Sequence, residues 1–327
     1  MKQYFKWINT ARGLGIILVV IGHALTDTLG AKDGSVSKII FDFIYSFHMP
    51  LFFFLSGFVG AKALDMYTVR AKANYIISRF KRLMIPYFFI GLMYIPLKLI
   101  LSSEVNTKIN FKTLPLDFLE GYNPNYQLWT LYALFISAVI IAVFAFPKKE
   151  CKWILLGIAI LMNIFWAVSY CPINILNEVL FQFVFYLLGV IYRKQNNFKK
   201  LPTNILSFSI LIFITINILN LNYHLDILKS ITSVFGIIIV CELCKRIEDK
   251  KTMVLDVVGK YGMDIYIMAN VVQVLVRSVC LNRLHIPGII CFFISVILGI
   301  MIPILVSKFI VRRFKITRFL VLGDSSK

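Results

Sequence analysis

The chain reads as an all-α, polytopic integral-membrane bundle of about ten transmembrane helices, with both termini on the cytoplasmic side. Three observations predict this. Of its 327 residues, 59% are hydrophobic and only 16% charged, with a mean hydropathy of +0.81, whereas a soluble domain carries about 25% charge. Apolar runs of about 17–25 residues, long enough to cross a bilayer as helices, recur along the whole length. Lysine and arginine gather in alternate connections between those runs, as the positive-inside bias requires. No soluble domain, low-complexity linker or internal repeat breaks the pattern, so 1–327 is expected to form a single integral-membrane domain.

The first run, 8–27, follows Lys2 and Lys6. It resembles a secretory signal in outline, but it holds Arg12 and His23 and lacks a clear small-residue cleavage site, so it is expected to be retained. The second, 39–62, contains Phe47-His48-Met49-Pro50-Leu51-Phe52-Phe53-Phe54-Leu55-Ser56-Gly57-Phe58. Pro50 lacks a backbone donor there and is expected to break the helix, widening a cavity or exposing a carbonyl. The third, 83–101, is preceded by the cations Arg79, Lys81 and Arg82. The fourth, 126–146, opens with Gln127-Leu128-Trp129-Thr130-Leu131-Tyr132, where Trp and Tyr suit the interfacial belt. The remaining runs are 153–169, 178–192, 203–221, 228–244, 263–281 and 288–310. Cys171-Pro172 blurs the edge of the fifth, and the sixth is short.

The formal net charge of +19 does not mark a nucleic-acid binder. On the ten-span topology, 27 of the 35 lysines and arginines fall on the inner side. The charge is mostly topology. The six cysteines lie largely inside or at the ends of spans, and Cys241-x-x-Cys244 has no second pair. Apolar filling accounts for them better than metal or redox chemistry, so neither a metal nor a tightly bound cofactor is expected.

Ionisable groups inside spans are costly and point to function. Arg12 and His23 lie eleven residues apart, which is about three helical turns and roughly 16 Å along one face. The charge pattern puts Arg12 toward the inner side and His23 in the outer half. His48, on the returning span, falls near the depth of His23. Two imidazoles in one cavity suit acid/base chemistry near neutral pH; interhelical hydrogen bonding explains them too. Asp27, one turn after His23, either orients the imidazole or lies solvated at the outer mouth. Asp42 carries the same ambiguity, and His224 and His285 read as interface histidines. Arg79 and Arg82 suit either a cytosolic polyphosphate or anionic lipid headgroups. The outer connection 102–125 has a composition able to cradle a sugar.

Together these residues resemble acyltransferase family 3, the membrane O-acyltransferases, in particular its fucose 4-O-acetylase-like branch. The resemblance rests on Arg12-Gly13 with Gly22-His23 at the R-x10-H spacing, on the Phe47–Phe58 segment, on Arg79 and Arg82 followed by Pro86-Tyr87, and on Leu128-Trp129. Val258-Gly259-Lys260-Tyr261-Gly262-Met263-Asp264-Ile265-Tyr266 is similar to a late family element. Here, however, Gly262 stands where serine is usual and Ala269, followed by Asn270, where histidine is usual. The resemblance implies transfer of an acetyl group from acetyl-CoA to a hydroxyl of a cell-surface or lipid-linked carbohydrate, at a bacterial inner membrane and with no nucleic-acid partner. It implies His23, His48 and Arg12 in catalysis and Arg79, Arg82 and Arg12 toward the donor; Asp27 and Trp129, near the outer surface, are expected toward the acceptor. The alternative from another class is a transporter or flippase of glycan precursors, for which buried His and Arg are equally reasonable.

Overall fold

The computed structural model describes residues 5–66, 68–100, 109–144, 151–195, 198–223, 225–248, 250 and 252–324. Every regular element among them is helical. That is what an apolar solvent demands, because a helix satisfies its own backbone N–H and C=O groups where no water can. The helices are α1 (Lys6–Leu29), α2 (Val36–Tyr45), α3 (His48–Gly60), α4 (Val69–Ile100), α5 (Leu114–Glu120), α6 (Trp129–Phe144), α7 (Cys151–Val168), α8 (Asn174–Gln195), α9 (Thr203–Tyr223), α10 (Asp226–Arg246), α11 (Met253–Lys260), α12 (Gly262–Val276), α13 (Gly288–Val306) and α14 (Lys315–Leu322). Among the described residues, nine helical stretches are long and apolar enough to cross a membrane, and the shorter apolar stretch Lys152–Val168 supplies the fifth expected span. The protein is an all-α, multi-pass membrane bundle.

Several boundaries depart from the sequence reading for clear reasons. The second span is split into α2 and α3 at Ser46–Phe47. Pro50 cannot donate to the carbonyl of Ser46 four residues earlier. The Ser233 hydroxyl on α10 lies 2.7 Å from that carbonyl and shares its one proton between it and the Lys229 carbonyl, also at 2.7 Å. The basic stretch before the third span is helical rather than a loop, so α4 runs for 32 residues. That is about 48 Å of helix, well beyond a ~30 Å hydrocarbon core, and it carries Arg70, Lys72, Arg79, Lys81 and Arg82 as its early turns. The sixth span lengthens at both ends into α8. The short helices α5, α11 and α14 have no counterpart among the apolar runs, being too short to leave a period.

Two compact units emerge, each built from two stretches of chain: Met1–Phe52 with Phe198–Lys308, and Phe53–Asn197 with Phe309–Lys327. In the first, α1 is the central helix, packed by α2, α10, α11, α12 and α13. Its inner end is tied down by polar contacts. Lys6 Nζ donates to the carbonyls of Glu248 and Lys250 at 2.7 and 2.9 Å, and Asn9 Nδ2 donates to the carbonyl of Asp256 at 2.9 Å. Beside them lies the buried ion pair Lys245–Glu242. The second Glu242 oxygen accepts the Leu201 N–H at 2.8 Å, and the Lys245 ammonium sits 5.7 Å from the Trp7 ring centroid. Buried charges persist only when partnered in this way.

In the second unit, the inner half of α3 crosses α8 at backbone contact. A Cβ at Gly57 would lie 1.9 Å from the Tyr186 carbonyl oxygen, and one at Gly189 would lie 2.0 Å from that of Phe54. Small residues admitting such approach are the membrane solution to helix packing, since lipid offers no hydrophobic drive between helices. α6 packs on α4 and α8, α7 on α8, and α14 on α4.

Candidate functional site

In the first unit, the outer part of α1 and the break between α2 and α3 bring three ring side chains together. The Tyr45 ring centroid lies 6.1 Å from that of His23 and 4.5 Å from that of His48. Its hydroxyl is 3.5 Å from each nitrogen of His23. His48 is 2% exposed, and its Nδ1 lies 2.9 Å from the carbonyl oxygen of Ile44. A carbonyl only accepts, so Nδ1 carries the proton and Nε2 is the ring nitrogen left to act as a base. The expected pairing of His23 with His48 is therefore present, joined through a tyrosine that spacing did not single out. The signal that points to it is Gly22. A Cβ there would fall 2.7 Å from Tyr45 Cε2, so the glycine preceding His23 clears space for this ring.

The other polar residues of the unit take more definite partners than their spacing implied. Asp27 does not orient His23; its Oδ1 accepts from Arg277 Nη1 at 3.0 Å, both side chains being 16% exposed. Arg277 opens the π-helical segment Arg277–Arg283 that continues α12, an irregularity that clusters at functional sites. Asp42 is claimed by Lys38 at 2.5 Å, one turn away on α2. Arg12 lies half-buried where α1 meets α12, and a Cβ at Gly262 would sit 3.3 Å from its Cγ and Cδ. Glycine in place of the usual serine thus leaves passage for the arginine stem. Asp264, fully buried, accepts a hydrogen bond from the Ser307 hydroxyl. His285 is exposed in a left-handed turn conformation with φ 52°, and His224 lies outside the described residues.

The second unit holds the remaining expected residues, and it separates the two arginines. Arg79 lies over the Tyr75 ring at 5.0 Å, and its Nη2 approaches Gly60, where a Cβ would meet it at 3.1 Å. Arg193, which the sequence did not single out, reaches the same end of α3, 5.2 Å from the Phe58 ring centroid. Arg82 instead donates from Nη1 to the carbonyl of Leu322 at 2.6 Å, holding the last turn of α14. Trp129, half-buried at the start of α6, stacks on Phe53 at 6.4 Å. The connection ahead of it folds inward: Asn123 Nδ2 donates to the Tyr87 carbonyl at 2.8 Å, and the Asn125 N–H to Asn123 Oδ1 at 2.9 Å.

Residues 5–308 match the acyltransferase domain of acyltransferase family 3. The chain belongs to this family. The matched residues run from α1 through α13, and so take in His23, Tyr45, His48, Arg12, Arg79, Arg82 and Arg193. A curated relative, the nodulation protein NolL of Mesorhizobium japonicum, is 28% identical over 185 residues, which make up 56% of this chain and 46% of that protein. The match thus spans less than half of the relative's length. No solved structure matches the chain.

Proposed function

We propose that this acyltransferase 3 protein moves the acetyl group of cytosolic acetyl-CoA to a hydroxyl of a cell-surface or lipid-linked carbohydrate at a bacterial inner membrane. The observation that carries the reading is the His23–Tyr45–His48 cluster, with one imidazole already committed to presenting a basic nitrogen. A sugar hydroxyl is protonated near neutral pH and attacks a thioester slowly. A base within hydrogen-bond reach contributes about 10²–10⁴-fold. The hydroxyl oxygen bonds to the acetyl carbonyl carbon while its proton passes to an imidazole. The carbon–sulfur bond then breaks, and the proton ends on the departing thiolate as the free thiol of CoA. His23 is assigned the proton-accepting role and His48 the second imidazole.

Arg12, about 16 Å from His23 along α1, is assigned to stabilise thiolate or phosphate charge, which low dielectric strengthens. Arg79 is assigned to the CoA phosphates; Asp27 and Trp129 are assigned to the acceptor. In cells carrying His23→Ala at wild-type membrane abundance, mass analysis of the surface glycan should find O-acetylation abolished. Full O-acetylation would overturn the role of His23. Purified protein should also transfer or hydrolyse the acetyl group of acetyl-CoA. Movement of glycan precursors across vesicles without either reaction would replace the reading with a transporter.

A further inference from the structure

We propose that Tyr45 is a positioning residue for His23: its phenol oxygen accepts one imidazole N–H and leaves the opposite ring nitrogen as the base. The inference rests on the acyl-transfer reading above. Three observations support it. The hydroxyl stands 3.5 Å from both His23 nitrogens, so a modest turn of the imidazole brings one of them into a full hydrogen bond. The tyrosine ring is itself held, stacked on Phe41 at 3.7 Å and 25° and set edgewise to His48 at 4.5 Å. Finally, residue 22 has no side chain where any Cβ would strike Tyr45 Cε2 at 2.7 Å. A ring packed on two sides and granted space on a third keeps its hydroxyl where His23 can use it.

The chemistry explains why a phenol suits this place. An imidazole acts as a base only through a bare nitrogen, and which nitrogen is bare depends on what the other one bonds. The usual orienting group is a carboxylate or a backbone carbonyl. His48 already uses a carbonyl, that of Ile44. The nearest carboxylate to His23 in sequence, Asp27, is occupied by Arg277. A neutral phenol performs the same orienting task without placing a second charge in the outer half of the span, where charge is costly.

Tyr45→Phe removes the oxygen and keeps both ring contacts, so abundance and thermal stability should match the wild type. The assay uses the full chain in membrane vesicles with radiolabelled acetyl-CoA, and the cell's own surface glycan, stripped of acetyl groups by mild alkali, as acceptor. Removing an orienting partner of a functional histidine costs about 10–100-fold in activity. We therefore expect kcat to fall by that factor with the KM for acetyl-CoA unchanged. Gly22→Ala, which displaces the ring while retaining the hydroxyl, should lower kcat in the same direction. Wild-type kcat in Tyr45→Phe alongside an inactive His23→Ala would overturn the positioning role alone. An active His23→Ala would overturn the underlying reading and this inference with it. A rise in KM without loss of kcat would make Tyr45 a binding residue and likewise overturn the proposal.

Discussion

Arg79 and Arg82 belong to one four-residue motif, yet their guanidinium groups have separate tasks. Three residues apart on a helix, the two side chains emerge only about 60° from each other, yet one lies over Tyr75 near Gly60 and the other reaches Leu322. The bond from Arg82 is charge-assisted to a backbone carbonyl, but the arginine is exposed, so water screens it. Arg82→Ala should therefore cost about 1 kcal/mol at most and loosen α14, lowering the thermal midpoint while leaving the KM for acetyl-CoA unchanged. Arg79→Ala should keep its stability and raise that KM several-fold. Equal KM effects from the two variants, measured in the same vesicles, would contradict the division. We therefore assign the polyphosphate role, which the sequence offered to both motif arginines, to Arg79 with Arg193 on the same end of α3.

At the scale of elements, the break between α2 and α3 decides where His48 points. Pro50 frees the carbonyl of Ser46, Ser233 caps it, and the Ile44 carbonyl one turn earlier takes the His48 Nδ1 proton. Ser46 and Ser233 are 5% and 0% exposed, so Ser233→Ala leaves a buried acceptor unsatisfied, at a cost of about 1–3 kcal/mol. Pro50→Ala restores a backbone donor to the same carbonyl. In that background, Ser233→Ala should cost clearly less, since both substitutions act on one oxygen. Denaturation midpoints of the two single variants and the double variant test this; strictly additive losses would show that Ser233 does not compensate for the proline. The proline itself was legible in the sequence as a break. Its partner was not, because Ser233 lies on α10, 187 residues beyond Ser46.

For the whole molecule, the number of crossings fixes the side on which each end emerges. The nine long apolar stretches among the described residues alone would place the two ends on opposite sides; α7 is the expected tenth crossing. Its 18 residues extend about 27 Å, close to the ~30 Å of the hydrocarbon core. With α7 inserted, the basic clusters around 62–82, 193–200, 245–260 and 308–318 are expected on one side, the cytoplasmic one by the inward bias of Lys and Arg. A reporter that folds only outside the cell should be inactive when fused at either terminus. Activity at the C-terminal fusion alone would exclude α7 as a crossing.

Composition and periodicity were sufficient for the membrane class and for the apolar segments themselves. Those properties follow from local hydropathy and helical rise, which each segment carries within itself. Tertiary structure alone decided what each polar group bonds. Asp27 pairs with Arg277 across 250 residues, Arg82 with Leu322 across 240, and Tyr45 stands beside His23 because Gly22 makes room for it. Hydrogen-bond partners depend on which helix faces overlap. In a bundle, backbone contact at particular small residues sets that overlap, and no single segment encodes it.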